Sequence, residues 1–236
     1  MITTILFDLD GTLLPMDQDI FIKAYMGGFA KKMVPHGYDP DLLVKSIWAG
    51  TGAMVQNDGS ISNEDLFWNI FSKVYGKDVR KDESIFYSFY ENEFQKVQDV
   101  CGFDSRAAQV ISELKSRGYR LVLATNPLFP SIATYSRARW AGLDPSDFEL
   151  ITTYENSRHC KPNPEYYRDI LETLNLTPDT CIMVGNDATE DLAAEKLGIK
   201  VFLLTNCLIN KENKDITCYP HGSFPELMNY ILEQRA

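Results

Sequence analysis

The sequence predicts an α/β fold in which a parallel sheet lies between two layers of helices, with a small all-helical unit inserted after the first strand. From about Phe103 to Leu204, short strands rich in Val, Ile and Leu alternate with helices, a pattern typical of a parallel sheet covered on both faces. Between the first strand and Phe103, apolar residues recur at spacings of three and four, which is the helical period.

Length and charge fit one such core with an insertion and exclude several partners. The 236 residues are 44% hydrophobic, and Lys+Arg 23 against Asp+Glu 33 gives a net charge of -10. Such a chain is unsuited to binding nucleic acid or an anionic membrane through bulk electrostatics. No segment is apolar enough to span a bilayer, and the N-terminus leads directly into a strand. We therefore expect a cytoplasmic protein.

The cysteines agree with that expectation. There are five, and they show neither CxxC pairing nor zinc-site spacing. Free thiols in a reducing compartment fit this pattern best. The five residues are Cys101, Cys160, Cys181, Cys207 and Cys218.

The first strand ends in an unusual group of polar residues. An apolar run at positions 5–7 is followed by Asp8, Asp10, Gly11 and Thr12. In an extended chain Asp8 and Asp10 point the same way, so they share one small site. Two carboxylates that close repel each other unless a proton or cation lies between them, which indicates a divalent metal. Gly11 allows close backbone approach and Thr12 offers a hydroxyl, so an anion site is predicted there too.

Four helical segments follow, and we expect residues 16–99 to form a separate helical domain, with 1–15 and 100–236 forming the core. The breaks between them are predicted at 35–37, 50–60 and 76–78. The Trp48–Met54 stretch is therefore predicted as an inter-helix loop, which either faces the site and selects the substrate or is a plain connection. Met26–Phe29 carries the same ambiguity. The apolar faces are Ile20, Phe21, Ala24, Tyr25; Leu42, Leu43, Ile47; Leu66, Phe67, Ile70, Phe71, Val74; and Ile85, Phe86, Phe89, Tyr90, Phe94.

The core elements then follow in order. A helix capped by Asp104 or Ser105 runs to Arg117, and glycines stop this helix and two later ones. Ligands of such sheets bind beyond the carboxyl ends of the strands, where the strand order reverses. The later predicted elements are a strand at 120–125, a helix at 131–140, a strand at 148–152, a helix at 163–174, a strand at 181–185, a helix at 187–197 and a strand at 200–204.

Two of the later strand ends offer groups that bind anions. Thr125 ends the second strand. By itself it is weak evidence for an anion site, because Ser and Thr are common at the ends of strands. Asn126 precedes a proline and is held extended, which aims its amide into the cleft. Lys161 lies just outside the positive end of a helix that begins with Asn163 and Pro164, where it helps to hold an anion. The alternative for Lys161 is an ordinary solvated surface position.

Acidic residues follow the fourth strand. Asp187 and Glu190 fit a capping box that needs no metal, whereas Asp187 and Asp191, four apart, fall on one helical face. Oxygen ligands without His or Cys favour Mg²⁺ over zinc. Capping and metal binding are compatible.

These motifs together resemble those of the haloacid dehalogenase-like (HAD) hydrolases. The segment Asp8–Leu13 resembles the family's first motif in its phosphatase form. Thr125, Lys161 and the segment 187–191 are similar to the second, third and fourth motifs, in the right order and each near a strand end. The resemblance implies a Rossmann-like core, and the helical insert matches the family's cap domain in position and type only.

The resemblance also implies a function. It implies a Mg²⁺-dependent phosphatase that hydrolyses a small phosphorylated metabolite, with Asp8 as the nucleophile that forms an aspartyl-phosphate and Asp10 as the general acid and base. Mg²⁺ would be held by Asp8, the Asp10 carbonyl and Asp187, with Asp191 in support. The groups expected to bind the phosphoryl oxygens are the amides of the turn at Leu9, Gly11 and Thr12, together with Thr125, Asn126 and Lys161.

Asp10 argues against two other reactions of this family. Haloacid dehalogenases lack a carboxylate at that position, and phosphonate hydrolases typically lack it too. Neither dehalogenation nor phosphonate hydrolysis is therefore expected. A sugar phosphomutase shares the core motifs and stays open as an alternative, as does a non-catalytic phosphate- or metal-binding module. The sequence does not indicate the physiological substrate or the oligomeric state.

Overall fold

A six-stranded parallel sheet forms the centre of the protein, whose computed structural model describes residues 1–234. The order across the sheet is β3-β2-β1-β4-β5-β6, and each neighbouring pair is parallel. This is the order of doubly wound α/β folds, so the predicted fold class is confirmed. The strands are β1 Thr4–Phe7, β2 Arg120–Leu123, β3 Leu150–Ile151, β4 Cys181–Gly185, β5 Lys200–Leu204 and β6 His221–Gly222.

Strand β1 is central because it is apolar on both faces. Leu6 pairs with Val122 on one side and Met183 on the other. Successive side chains of a strand point to opposite faces. Ile5 and Phe7 accordingly pack into one hydrophobic cluster, and Leu6 packs into another.

Helices cover both faces of the sheet. Helices α5, α6 and α8 pack into the cluster of Ile5 and Phe7, and α7 packs into the cluster of Leu6. Within the described part of the chain, the helices lack the length and apolarity needed to cross a membrane, and the five cysteines are free. The helices are α1 Gln18–Met33, α2 Pro40–Val55, α3 Asn63–Tyr75, α4 Glu83–Glu91, α5 Ser105–Ser116, α6 Ser131–Trp140, α7 Pro164–Leu174 and α8 Phe224–Glu233.

Helices α1 to α4 follow β1 and pack through aromatic side chains. Phe29 of α1 meets Phe89 of α4 edge to face, with ring centroids 4.9 Å apart. The buried rings of these helices belong to the same cluster as Ile5 and Phe7 of the sheet. The helical unit is therefore seated on the core, and its division as a separate domain at 16–99 stays a prediction.

The predicted loop at Trp48–Met54 is wrong, because these residues lie inside α2. The Asp39 side chain caps that helix by accepting the Leu42 amide at 2.8 Å. Gly50 does not break the helix but allows close packing on α3: a Cβ there would lie 2.6 Å from Phe67 Cδ2. Met26–Phe29 likewise lies within α1 and is not a loop.

Three other predicted elements differ from the structure. The helix predicted at 187–197 is a turn followed by a 3-10 helix at Leu192–Leu197, because the Asp191 carboxylate folds back to accept the Asp187 amide at 2.8 Å. The helix through Phe94 ends at Glu91, and Phe94 lies in a 3-10 helix at Glu93–Val100. The third strand is shorter than predicted, and β6 and α8 were not predicted.

Candidate active site

The turn after β1 places two carboxylates on one cavity. The Asp8 amide donates to the Val184 carbonyl at 2.8 Å, and the Leu9 carbonyl accepts the amide of Thr12 at 3.2 Å. Gly11 has φ +83°, and a Cβ there would lie 2.3 Å from an Asn186 side-chain atom. The left-handed conformation and the close approach both require glycine.

The cavity has a volume of about 160 Å³ and lies at the carboxyl ends of β1, β2 and β4. This is where the strand order reverses, the usual ligand position in such sheets. Its apolar side is closed by residues of α1 and of the segment after β2, Phe21, Ile22, Leu128 and Phe129. Its polar lining is Gln18, Asp8, Asp10, Thr125, Asn126, Asn186, Asp187, Glu190 and Asp191.

Lys161 is a buried bridge between two carboxylates. Its Nζ lies 2.9 Å from Asp8 Oδ1 and 2.7 Å from Asp191 Oδ1, and its side chain is 0% exposed. Burial lowers the pKa of Lys161, but Asp191 and Asp8 together hold it well above its usual range. The lysine is therefore a fixed positive charge next to the Asp8 carboxylate, and not a solvated surface residue.

The second oxygen of Asp8 faces a hydroxyl. Thr12 Oγ1 lies 3.1 Å from Asp8 Oδ2 and 2.9 Å from Asn186 Oδ1. A hydroxyl has one proton, so Thr12 donates to one of these acceptors at a time. Both the β1 turn and the β4 turn thus place an acceptor within hydrogen-bond distance of Thr12.

Burial and charge both act on the acidic groups of the cavity. The pKa of Asp8 is raised to about 7, chiefly by burial; Lys161 opposes this rise, and Asp191 and Asp10 add to it. Burial likewise raises the pKa of Glu190 to about 8. The site therefore holds more carboxylates than cations, and an added cation or a proton would relieve their repulsion.

The turn after β4 is fixed by its own carboxylates. Asp187 Oδ1 accepts the amides of Thr189 at 2.7 Å and Glu190 at 2.9 Å, so Asp187 caps the turn as predicted. The Glu190 side chain does not complete the capping box, because it accepts from Asn126 Nδ2 at 3.0 Å. Asp191 Oδ2 instead takes the Asp187 amide.

Asp10 is paired with a buried arginine. Arg137 Nη1 of α6 contacts Asp10 Oδ2, and the Arg137 side chain is 1% exposed. Asp10 Oδ1 is buried, with no hydrogen-bond partner among the described residues. One oxygen of Asp10 is therefore held by Arg137, and the other is a buried acceptor without a partner among the described residues.

The two polar residues after β2 line the cavity with their backbones anchored. The Thr125 carbonyl accepts Thr152 Oγ1 at 2.6 Å and the Tyr166 hydroxyl at 3.0 Å. Asn126 Oδ1 accepts the Lys161 amide at 3.2 Å. The predicted second and third motifs are thus joined directly by a hydrogen bond.

The donor set of the cavity suits Mg²⁺. Within residues 1–234 no three His, Cys, Asp or Glu side chains form a ready-made metal site. Mg²⁺ does not need one, because it commonly binds through one or two carboxylates and keeps several waters. Asp8 and Asp187 both line the cavity and supply two such groups, with only oxygen donors around them.

The structure thus brings most of the predicted site residues together. Asp8, Asp10, Thr125, Asn126, Asp187 and Asp191 line the cavity. Lys161 contacts Asp8 but is not among the lining residues. Leu9, Gly11 and Thr12 form the turn, and the Gly11 amide donates to the Leu14 carbonyl at 2.8 Å. The roles of all these residues in binding and catalysis stay predictions.

Three residues of the site were not predicted from the sequence. Asn186 lies next to the fourth motif and Glu190 lies within it, but their contacts with Thr12 and Asn126 come from chain segments far away in sequence. The burial of Arg137 could have been inferred from its spacing in the sequence. It is four residues from both Ala133 and Ala141, which are buried. That spacing places Arg137 on the buried face of α6.

Comparisons with known proteins identify the family. A family model described as haloacid dehalogenase-like hydrolase matches residues 2–198. A phosphoglycolate phosphatase of Colwellia psychrerythraea is 27% identical over 201 residues, which cover 85% of this chain and 83% of the relative. A pyrophosphatase PpaX of Bacillus velezensis is 25% identical over 203 residues, covering 84% and 81%.

Solved structures share the fold. A HAD phosphatase from Thermococcus onnurineus has a TM-score of 0.61 at 18% identity and covers 98% of both chains. The HAD-hydrolase YfnB from Bacillus subtilis, described as bound to magnesium, has a TM-score of 0.57 at 20% identity and the same coverage. At these identities the structural likeness supports the fold alone.

Proposed function

The chain belongs to the haloacid dehalogenase-like hydrolases, and we propose that within this family it is a Mg²⁺-dependent phosphatase. Its substrate is a small phosphorylated metabolite, hydrolysed through an aspartyl-phosphate on Asp8. The observation that carries the proposal is that two carboxylates line one cavity and that each is paired with a different buried cation. Asp8 is held by Lys161, and Asp10 is held by Arg137 with its other oxygen unpartnered.

In the first step, an oxygen of Asp8 attacks phosphorus and the bond to the leaving-group oxygen breaks. Phosphoryl transfer needs little covalent chemistry beyond positioning and charge neutralisation. Lys161 supplies positive charge at Asp8 Oδ1, 2.9 Å away. Asp10, two residues along, donates its proton to the departing alcohol oxygen.

In the second step, Asp10 acts as a base. It takes a proton from the water that attacks the phosphorus of the aspartyl-phosphate, which releases phosphate and regenerates Asp8. The contact of Arg137 with Asp10 Oδ2 fixes the position of the carboxyl group that gives and takes the proton. Arg137 is thus a positioning residue for Asp10.

Mg²⁺ would be held by Asp8, the Asp10 carbonyl and Asp187, with Asp191 in support. When bound, it would orient the phosphate and screen its repulsion from Asp8. The excess of carboxylates in the cavity and the neighbour described as bound to magnesium support this cofactor. Both oxygens of Asp191 already accept hydrogen bonds from Lys161 and Asp187, so the contribution of Asp191 is to hold those residues.

The test is hydrolysis of phenyl phosphate by the purified protein, with Mg²⁺ and with EDTA. We expect metal-dependent phosphate release that Asp8→Asn and Asp10→Asn both abolish. Asp41→Asn on α2, an exposed aspartate, is the matched control and should keep activity. After acid quenching, intact mass should show a phosphorylated chain in wild type and none in Asp8→Asn.

The alternatives give different results. A sugar phosphomutase would move phosphate between hydroxyls of a hexose phosphate without releasing it, which phosphorus NMR would detect. A binding module would show neither release nor a phosphorylated chain. Phosphate release that is unaffected by Asp8→Asn would overturn the aspartyl-phosphate mechanism itself.

A further inference from the structure

A second cavity adjoins the catalytic one. It has a volume of about 110 Å³ and is lined by α1, α2, α3 and α4 together with the segment after β2. The two cavities share Ile22, Leu128 and Phe129 in their walls. The second cavity is therefore the apolar space next to the position expected for a phosphate against Asp8.

The second cavity, here called the aromatic cavity, is walled by rings and aliphatic groups. No Lys, Arg, His, Asp or Glu is among the described residues that line it. Arg137 Cζ lies 4.4 Å from the Phe129 ring centroid, but this arginine is already paired with Asp10. Six of the lining rings are Tyr25, Phe29, Trp68, Phe86, Phe129 and Tyr154.

Size and polarity narrow what this cavity binds. An apolar cavity of about 150 Å³ accepts one benzene ring, so the aromatic cavity, at about 110 Å³, has room for one ring at most. An anionic group placed there would lose its hydration without gaining a cation, which is strongly unfavourable. Trp48 lines the cavity and is 48% exposed to solvent. An apolar group that entered the cavity would cover part of this ring.

We propose that the substrate is a phosphate monoester whose leaving group carries one aromatic ring, and that the ring binds in the aromatic cavity. The proposal rests on the phosphatase function above and names its substrate class. It also separates this chain from the relatives it matches. Phosphoglycolate and pyrophosphate, the substrates in those relatives' names, have charged leaving groups.

The test compares three phosphate esters of primary alcohols, so that the chemistry of the broken bond is matched. They are 2-phenylethyl, propyl and 2-carboxyethyl phosphate. We expect kcat/KM for the phenylethyl ester to exceed that for the propyl ester by roughly 10- to 200-fold, the range that apolar pockets reach. The carboxyethyl ester, phosphoglycolate and pyrophosphate should be poorer than propyl phosphate.

Two variants test whether the preference for the phenylethyl ester depends on the aromatic cavity. Trp48→Ala removes a half-exposed ring and should lower the phenylethyl-to-propyl ratio by about tenfold. Phe103→Ala removes an aromatic residue that is 65% exposed and lines neither cavity, and it should leave the ratio unchanged. A ratio that Trp48→Ala does not alter would overturn the assignment to this cavity.

The outcomes separate this inference from the function it rests on. Equal rates for all three esters would overturn the aromatic specificity and leave the phosphatase intact. If no ester is hydrolysed, calorimetric titration with 2-phenylethyl phosphate decides. If 2-phenylethyl phosphate binds more tightly than 2-carboxyethyl phosphate, the assignment of the ring to the aromatic cavity stands and the proposed phosphatase function is wrong. If 2-phenylethyl phosphate does not bind, both proposals are wrong.

Discussion

Two buried regions of this protein are built on opposite principles. In the charged cluster of Asp8, Lys161 and Asp191, the lysine is held by both carboxylates at 2.9 and 2.7 Å. In the aromatic cluster of α1, α3 and α4, Phe86 meets Trp68 and Phe71 at centroid distances of 5.1 and 5.6 Å. The first depends on direction and charge, the second on volume and apolar area.

This difference has a consequence for substitution. Removing one member of a buried ionic group leaves its partners buried and uncompensated. A ring in a packed cluster can be replaced by another apolar group at a cost set by the lost volume. We therefore expect the charged cluster to tolerate almost no change and the aromatic cluster to tolerate several, which would let the helical unit vary its specificity while the chemistry stays fixed.

The largest expected effect is that of Lys161→Met. It should lower the free energy of unfolding by about 3–5 kcal/mol, because two buried carboxylates lose their cation. Phosphatase activity should fall by roughly 100- to 1000-fold with the loss of a charged donor at the site. Urea denaturation and steady-state kinetics measure the two effects.

Two controls make that comparison specific. Phe86→Leu in the aromatic cluster should cost about 1–2 kcal/mol. Lys115→Met removes an exposed lysine paired with Asp147 and should cost at most about 1 kcal/mol. If Lys161→Met were no worse than Phe86→Leu, the contrast between the two regions would be wrong.

The second largest expected effect comes from replacing a glycine of the charged region by alanine, and a glycine of the helical unit serves for comparison. At Gly185, the last residue of β4, an added Cβ would lie 2.0 Å from Asp191 Oδ2. Gly185→Ala should therefore displace Asp191 from Lys161, at a cost of about 2–3 kcal/mol and with most of the activity lost. The measurements are thermal unfolding and phosphate release.

Gly52 provides the matched change in the helical unit. A Cβ at this position within α2 meets nothing within 4 Å. Gly52→Ala should raise stability by roughly 0.5–1 kcal/mol through improved helix propensity. Equal destabilisation by the two alanines would show that the space around Asp191 is not what makes Gly185 necessary.

The same contrast explains what the sequence could predict. Asp8, Asp10 and Lys161 were predicted because their chemistry restricts residue type and places them near strand ends. The α2 helix was missed at Trp48–Met54 because Gly50 is explained only by packing against Phe67, which a local pattern does not contain. The pair of Arg137 with Asp10 joins residues 127 positions apart, and it too depends on the tertiary fold.

The C-terminal helix illustrates a signal that was present but unused. Ser223 and Glu226 form a capping box at the start of α8, and that spacing is readable from sequence. The aromatic cavity had no comparable signal, because its rings come from four helices and from the two segments after β2 and β3. The proposed substrate class therefore rests on the structure, whereas the proposed reaction type rests on the motifs.

The third effect lies at the junction of the two regions. Asn63, buried at the start of α3, donates from Nδ2 toward the His159 carbonyl and Cys160 Sγ at 3.4 and 3.3 Å. Its Oδ1 accepts from Asn57 Nδ2 at 2.8 Å. Asn63→Ala should cost roughly 1–2 kcal/mol by leaving these buried groups unpaired.

The control for this junction is on the same helix. Asn69 is exposed on α3, and Asn69→Ala should change the free energy of unfolding by no more than about 0.5 kcal/mol. Urea denaturation of both variants gives the comparison. A cost at Asn63 that matches the cost at Asn69 would mean that the side-chain hydrogen bonds of Asn63 do not help to hold the helical unit on the core.

The smallest expected effect is pH-dependent and belongs to the aromatic region. Tyr38, whose ring packs on Phe86, donates its hydroxyl to Asp82 Oδ2 at 2.6 Å. This bond, and Lys77 after it, lower the pKa of Asp82 below its usual 3.8. A carboxyl whose pKa is lower in the folded state stabilises the fold above the pKa of the unfolded chain. That contribution is lost as the pH falls through the folded-state pKa.

Asp82→Asn should therefore cost roughly 0.5–1 kcal/mol at pH 7, a small value because the carboxylate is partly exposed and screened. In urea denaturation, the difference from wild type should be the same at pH 7 and pH 6 and should shrink as the pH is lowered through 3.8. Asp78→Asn, which breaks only an exposed pair with Lys81, should show a smaller difference. A constant difference down to acid pH would mean that Asp82 acts through packing, so that the aromatic region contains no titratable support.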